Sequence, residues 1–373
     1  MSLRTSLRNP SDPSAPSAPI SSTALAASAA LTALTLLTAC ATDPAPAPGQ
    51  DTGAGEDFPA ASLDGLRVLL TNDDSVLAAE EDGSDGRGLY ELRSALCAAG
   101  ADAVVFAPWG YQSSMSSAIS FSGSFGLGTH PGLPEEHAGD CADAPSGGAV
   151  HGVCVADGPC EEDSPSATPV DSVAFALHHG LSELVDWDGP PDVVVSGVNS
   201  GPNVASQIAN SGTAGAAFAA QAAGVPAIAV SAHLDEDFTV APTTYTAAAE
   251  FSTDLVARLV GSDMLTSTYM INVNHPHTPD GAPSPGVRWT RAGTGTVLIP
   301  EFTGEDAYEL GARVCEPDTP GCVPETSENA DSTALLAEGA VSVSALTSDR
   351  TYASGEDPAE VERLAELVAA LGD

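Results

Sequence analysis

The chain has 373 residues, of which 43% are hydrophobic, so it is long enough to bury a large core as one elaborated domain or two. It carries 51 acidic residues against 11 basic ones, all of them arginine, and its net charge is −40. This charge argues against general electrostatic binding to nucleic acid or to an anionic membrane. A small phosphorylated ligand would need local positive charge, most simply from a metal ion.

Residues 1–40 are interpreted as an export signal and not as part of the fold. Two arginines precede a long uncharged run rich in Ala, Leu, Ser and Thr, and residues 37–40 (Leu-Thr-Ala-Cys) are typical of a bacterial lipobox. The pattern predicts lipidation of Cys40; an uncleaved transmembrane anchor is the alternative. Residues 41–62 have the Pro/Ala/Gly-rich composition of a flexible tether. Both readings place the folded domain outside the cytoplasm, in the periplasm or at the cell surface.

A short apolar strand leads directly into a polar cluster at residues 71–74 (Thr-Asn-Asp-Asp). The run over residues 68–70 is typical of a strand buried on both faces of a parallel sheet. In open α/β sheets the ligand site lies beyond the carboxyl ends of the strands. Asp73 and Asp74 would repel each other there, and a bound cation would relieve the repulsion. An acidic turn is the alternative reading.

The elements that follow describe an α/β fold. A helical pattern over residues 89–97 and a strand over residues 103–107 predict a right-handed βαβ unit, and a serine-rich segment, 109–124, comes next. The composition of residues 126–168 predicts a long, partly ordered insertion. The later predicted elements are a helix opening at Thr168-Pro169, a strand over 192–195, a helix over 214–223, a strand over 227–230, a helix over 245–259, strands over 270–274, 287–291 and 341–346, and a helix over 361–371.

Polar loops follow several of these strands. Residues 196–203 (Ser-Gly-Val-Asn-Ser-Gly-Pro-Asn) come after the strand over 192–195, and residues 211–213 (Ser-Gly-Thr) open a helix. Together with the acidic pair and the cluster around Ser113, they would supply carboxylate, hydroxyl and amide oxygens, a set suited to Mg²⁺ or Mn²⁺. The N–H groups of a helix N-terminus favour a phosphate beside such a cation.

Six cysteines besides Cys40 lie in the exported part, where disulfides can form. Cys315 and Cys322 are seven residues apart in a Pro/Gly-containing loop and make the most plausible pair. Cys97 falls on a predicted amphipathic helix and is interpreted as a buried thiol. A second bridge could come from three cysteines in an irregular segment: Cys141, Cys154 and Cys160.

From about Leu66 to Thr351 these motifs resemble, in order, those of the SurE-type 5′/3′-nucleotidases, the survival protein SurE family. Residues 69–74 are similar to the opening strand and metal-binding acids of that family. Residues 196–203 resemble its Ser-Gly-Ile-Asn-x-Gly-x-Asn loop, and residues 211–217 its Ser-Gly-Thr-Val-Gly-Ala-Ala helix start.

The resemblance implies a phosphoric monoester hydrolase that acts on nucleoside 5′- or 3′-monophosphates with one divalent cation, Mg²⁺ or Mn²⁺. It implies a Rossmann-like, mostly parallel sheet flanked by helices, with a core over residues 63–235. Residues 236–373 complete the domain and would supply an oligomerisation arm of a homodimer or tetramer. The metal ligands carried over are Asp73, Asp74, Ser113 and Asn199. The phosphate-binding residues carried over are Asn72, Asn203, Ser211, Gly212 and Thr213. Either Asp73 or Asp74 would serve as general base.

The chain departs from the family pattern at two places. Ser75 stands where the family usually has glycine, and a positive φ there would be strained in serine. Residues 109–114 lack the two arginines and the glycine that the family often carries around Ser113, so Ser114 and Ser116 stay open as ligands. These departures support a second hypothesis, a catalytically weakened lipoprotein that binds metal or phosphate. A purely structural acidic protein would leave the aligned loops unexplained.

Overall fold

The structure, a computed structural model, describes residues 58–77, 85–129, 133–282, 284, 286–304, 309–315, 318–349 and 358–370. The predicted signal sequence with Cys40, and the tether up to residue 57, lie outside these residues. In the described part of the chain, no helix combines the length and apolar character needed to cross a bilayer.

The described residues contain eleven strands, and nine of these form one sheet. They are β1 (Arg67–Thr71), β2 (Asp102–Pro108), β3 (Phe125–Thr129), β4 (Val150–Val155), β5 (Val193–Ser200), β6 (Ala227–Ala232), β7 (Met270–His275), β8 (Val287–Trp289), β9 (Leu298–Thr303), β10 (Glu309–Val314) and β11 (Val341–Leu346). The order in the sheet is β3-β4-β2-β1-β5-β6-β7-β11-β8. The six strands from β4 to β7 run parallel, while β3 and β11 are antiparallel to their inner neighbours. The predicted Rossmann-like, mostly parallel α/β sheet is confirmed.

Helices cover both faces of the sheet. The described helices are α1 (Arg87–Ala98), α2 (Pro169–Phe175), α3 (Leu181–Leu184), α4 (Gly212–Ala222), α5 (Pro242–Gly261) and α6 (Pro358–Ala370), of which α6 is largely exposed. Val68 and Leu70 of β1 pack in the core that holds α1 and α5, and Leu69 packs in the core that holds α2 and α4. Alternate side chains of β1 are therefore buried on opposite faces, as expected for a strand of a covered parallel sheet.

The prediction of a long, partly ordered insertion over residues 126–168 overlooks two strands, because this segment contains most of β3 and all of β4. Both strands join the edge of the main sheet. Glycines obscure them in the sequence: a Cβ at Gly128 or Gly152 would lie within 2.5 Å of the Trp109 indole. The glycines thus let the indole lie directly on the strands, and they remove the side-chain alternation by which a strand is recognised.

The structure pairs all six cysteines of the described chain. Cys315 is bonded to Cys322, and Cys154 to Cys160. The expectation of a buried thiol at Cys97 is wrong, because Cys97 is bonded to Cys141 with their Cα atoms 5.1 Å apart. That pair joins α1 to a loop 44 residues away, a contact that no local pattern reveals.

A two-stranded antiparallel hairpin, β9–β10, stands apart from the main sheet and was not among the predicted elements. Ser206 donates its N–H to the Gly295 carbonyl oxygen at 3.3 Å, and Gln207 Nε2 donates to the Leu298 carbonyl oxygen at 3.2 Å. These bonds connect the start of the hairpin to the 3₁₀ turn Ala205–Ala209, which precedes α4.

Candidate active site

Asp73 and Asp74 lie immediately beyond the carboxyl end of β1, between the ends of β2 and β5. Both side chains are almost fully buried, with relative exposures of 2% and 1%. Thr213 Oγ1 donates to Asp73 Oδ1 at 2.6 Å, and the Ser200 N–H donates to Asp74 Oδ2 at 2.7 Å. The two carboxylates are thus held by donors from α4 and from the end of β5.

Burial raises the pKa of both carboxyl groups, most strongly that of Asp74. For Asp73, the Thr213 hydroxyl and nearby backbone N–H groups act in the opposite direction. For Asp74, the charge of Asp73 adds to the effect of burial, while the Ser200 N–H and the Ser113 hydroxyl lower the pKa in part. Two buried carboxylates side by side are costly when both are ionised, and a divalent cation between them would compensate that cost.

Ser113 and Asn199 complete the oxygen set beside this pair. The Ser113 hydroxyl lies close enough to Asp74 to lower the pKa of that carboxyl group. By contrast, Ser116 Oγ donates to the Ala209 carbonyl oxygen at 2.7 Å. Asn199 donates its Nδ2 to the Gly201 carbonyl oxygen, and its buried Oδ1 has no hydrogen-bond partner within the described residues. An orphaned buried acceptor beside two carboxylates fits a hard cation, because such an atom is costly unless something binds it.

The donor chemistry also limits which metal the site suits. Within the described ranges there is no cluster of three or more His, Cys, Asp or Glu side chains that could hold a metal ion. The set at this site is instead two carboxylates, a hydroxyl and an amide oxygen. Hard oxygen ligands of this kind suit Mg²⁺ or Mn²⁺ and not a thiolate- or imidazole-bound metal.

The N-terminus of α4 packs against Asp73. Ser211 is the N-cap and accepts the Ala214 N–H at 2.9 Å. A Cβ at Gly212 would lie 2.8 Å from both Cβ and Oδ2 of Asp73, so only glycine lets the helix approach this closely. The first N–H groups of α4 therefore point toward the site formed by the two carboxylates, where they can stabilise an anion.

The residues predicted to bind phosphate do not all have free polar groups in this structure. Asn203 Nδ2 donates to Ser231 Oγ at 2.8 Å and to Thr213 Oγ1 at 3.3 Å, so its side chain holds Thr213 in place. Asn72 Oδ1 accepts the Ser75 N–H at 3.1 Å, while its buried Nδ2 has no partner in the described chain. Ser75 has φ = 97°, a left-handed conformation that costs energy in a residue with a side chain.

Two asparagines of β7 hold the loop of residues 199–203, and sequence reasoning did not assign them this role. Asn274 Oδ1 accepts the Asn203 N–H at 2.7 Å. The side chains of Asn272 and Asn274 both donate to the Asn203 carbonyl oxygen, at 2.9 and 3.1 Å. The alternation of polar residues in residues 272–274 is the signal that could have revealed them, because both fall on one face of a buried strand.

A cleft of about 580 Å³ opens from this corner. Asp73, Ser113, Asn199, Asn203 and Ser211 line its inner end. Its outer part is mostly apolar and is formed by the loop after β6 and the β9–β10 hairpin. A second cleft of about 550 Å³, between α1 and α5, contains none of the site residues. The first cleft has a volume suited to a ligand the size of a nucleotide.

The fold and the site define an α/β protein in which two buried carboxylates and the N-terminus of α4 meet at the carboxyl ends of parallel strands. Residues 68–297 match the family described as "Survival protein SurE". The chain belongs to this family.

Relatives and a solved structure agree with this assignment. The chain is 30% identical over 287 residues to "5′-nucleotidase SurE 1" of Burkholderia lata, which covers 77% of this chain and 92% of that protein. It is 33% identical over 294 residues to "5′-nucleotidase SurE" of Anaeromyxobacter dehalogenans, with the same coverages. The crystal structure of the SurE protein from Aquifex aeolicus is similar in fold, with a TM-score of 0.55 and 23% identity; the match covers 82% of this chain and 99% of that one.

Proposed function

We propose that this SurE-family protein hydrolyses nucleoside 5′- or 3′-monophosphates with the help of one divalent cation. Family membership makes the chain a phosphoric monoester hydrolase of the 5′-nucleotidase type. The observation that carries the rest is the pair of buried, mutually repelling carboxylates, Asp73 and Asp74, beside the orphaned Asn199 Oδ1 and the N-terminus of α4.

Asp73, Asp74, Ser113 and Asn199 would hold the cation, which we take to be Mg²⁺ or Mn²⁺. Such a cation, when bound, polarises a phosphoryl oxygen and lowers the pKa of a water molecule. The Thr213 hydroxyl and the Ser200 N–H fix the orientation of the two carboxylates, so little rearrangement is needed when substrate binds.

The chain's own groups would bind and position the phosphate. The dipole of α4 favours the anion at the inner end of the cleft. The N–H groups at residues 212 and 213 face the Asp73 carboxylate and lower its pKa. Asn203 holds the Thr213 hydroxyl toward this corner, and the unpartnered Nδ2 of Asn72 is a further donor. Asp73 and Asp74 are placed to accept the proton of an attacking water.

Phosphate release from a panel of nucleoside monophosphates tests this proposal. The purified protein should release phosphate with Mg²⁺ or Mn²⁺, and an Asp73→Asn/Asp74→Asn variant of equal thermal stability should not. Release by the double variant at the rate of the unaltered protein would contradict the assignment of the two carboxylates.

We further propose that the protein is exported and anchored through a lipid on Cys40, and that it forms a homodimer or tetramer. The lipobox-like residues 37–40 and the three disulfides support an extracytoplasmic location, since disulfides persist in oxidising compartments. Fractionation of cells that express the protein tests the anchor, because Cys40→Ala should move the protein from the membrane to the soluble fraction. Retention of that variant in the membrane would favour an uncleaved anchor. Light scattering would measure the molar mass of the protein in solution and so distinguish a homodimer from a tetramer.

A further inference from the structure

The outer part of the cleft differs in chemistry from its inner end. The loop after β6 supplies Leu234 and Phe238, and the hairpin supplies Leu298 and Val314. The inner and outer parts of the cleft adjoin each other. A Cβ at Gly201, in the loop of residues 199–203, would lie 3.7 Å from Leu234 Cδ1 in the loop after β6. An ester bound by its phosphate at Asp73 would therefore place its leaving group against this apolar wall.

Two carboxylates stand on the rim of this apolar part. Asp235 and Glu236 both line the cleft. None of the arginines in the described chain lines the cleft. The arginine of the hairpin, Arg313 of β10, has its guanidinium 4.0 Å from Glu301 and donates to the Pro320 carbonyl oxygen. His233 also lines the cleft, but burial and the neighbouring His277 lower its pKa, so a leaving group there meets negative charge without a compensating cation.

The loop that carries these acids is held in a fixed shape. Asp235 Oδ1 accepts the N–H groups of Asp237 and Thr239 at 2.9 and 2.8 Å, and its Oδ2 accepts the Thr239 hydroxyl at 2.7 Å. The hydrogen bonds from Thr239, backbone first and then side chain, lower the pKa of Asp235, so this group is ionised at neutral pH. Glu236 is exposed next to this turn.

We propose that Asp235 and Glu236 form a charge filter that admits phosphate monoesters with a neutral leaving group and rejects esters that carry a second phosphate. The inference rests on the proposed function and narrows its substrate class. A nucleoside fits the apolar wall, whereas a second phosphate would enter the field of both rim carboxylates with no arginine to neutralise it. Nucleoside bisphosphates and inorganic polyphosphate are poor substrates for this reason.

The test compares AMP with adenosine 3′,5′-bisphosphate, which share base and sugar and differ by one phosphate. The unaltered protein should have a kcat/KM for AMP at least about tenfold higher than for the bisphosphate. Glu236→Gln should narrow this ratio by about fourfold, as expected for removing one charge about 10 Å from a doubly charged phosphate in water. The matched control is Asp237→Asn, an exposed neighbour that does not line the cleft and should leave the ratio unchanged. Added salt should narrow the ratio of the unaltered protein.

Equal kcat/KM values for the two nucleotides would overturn the filter, and so would a ratio that Glu236→Gln leaves unchanged. An equal effect of Asp237→Asn would also overturn it, since the cause would then be the net charge of the whole protein. Titration calorimetry with the same two nucleotides gives the ratio of their dissociation constants without turnover. Binding of AMP without hydrolysis would contradict the proposed function, and the binding ratio would still decide the filter.

Discussion

Replacing Gly212 by alanine would press a methyl group against the Asp73 side chain. The added Cβ would lie 2.8 Å from Asp73 Oδ2, whereas ordinary contacts of this kind begin at 3.4 Å. The carboxylate or the start of α4 must therefore shift by about 0.6 Å, and a misplacement of about 1 Å can cost about 100-fold in rate. We expect a fall in kcat/KM of about 10- to 100-fold, or about 1.4–2.7 kcal/mol in the activation free energy.

The stability of the Gly212→Ala variant should change much less than its activity. Alanine stabilises a helix by about 1 kcal/mol relative to glycine, and this gain offsets an overpacking cost of about 1–3 kcal/mol. Phosphate release from AMP and thermal unfolding would be measured on the same preparation. Gly139→Ala is the control, because a Cβ at that position meets nothing within 4 Å. A Gly212→Ala variant with the activity of the unaltered protein would refute the tight packing of α4 on Asp73.

Three further predictions follow from hydrogen bonds and disulfides of the described chain. Thr213→Val removes the hydroxyl donor to Asp73 and should lower kcat/KM by about tenfold, while Thr213→Ser should largely keep it. Partial burial acts to raise the pKa of Glu325, but hydrogen bonds from backbone N–H groups and a serine hydroxyl lower it to about 2. The ionised carboxylate therefore stabilises the folded protein above about pH 4.5, and this stabilisation is lost as the pH falls toward 2. Chemical denaturation should show that Glu325→Gln is less stable than the unaltered protein at pH 7, by at most about 1 kcal/mol after solvent screening, with the difference shrinking below pH 4.5. Replacing Cys97 and Cys141 together by alanine should cost about 2–4 kcal/mol in the free energy of unfolding, because their bridge closes a long loop.

Each of these predictions has an outcome that contradicts it. A Thr213→Val variant as active as the Thr213→Ser variant would show that the hydroxyl does not orient Asp73. A stability difference for Glu325→Gln that is constant from pH 7 to pH 3 would exclude ionisation as its cause. The short Cys154–Cys160 bridge is the comparison for the long one, because it spans only 6 residues; an equal loss from removing either bridge would contradict the loop-length explanation.

The parts of the site that could be predicted are those with a local signature. Asp73 and Asp74 follow a strand whose apolar run is continuous, and Ser211 precedes a helix at the position of an N-cap. Thr168 and Asp171 form a capping box, with both bonds present at 3.0 and 3.2 Å, so the predicted start of α2 is also confirmed. Local patterns fix where an element begins or ends, and the polar side chains of this site lie at such points.

The parts that could not be predicted depend on contacts between distant segments. Asn274 holds Asn203 across 71 residues, and Asp331 Oδ1 accepts the Ala205 N–H across 126 residues. Asp331 also accepts the Gly293 N–H at 2.9 Å, which fixes the chain just before the hairpin that walls the cleft. Neither acceptor differs in sequence from an ordinary polar residue, so only the fold reveals its role.

Removal and return of the metal is the measurement that tests the central claim most directly. Phosphate release from AMP by the purified protein would be followed with Mg²⁺ or Mn²⁺, after EDTA, and after the metal is restored, with Mn²⁺ binding measured on the same sample. We predict that release stops with EDTA and returns with the metal. Release that EDTA does not affect would contradict the cation site at Asp73 and Asp74. Tight Mn²⁺ binding without any release would contradict the enzyme and favour a metal- or phosphate-binding lipoprotein.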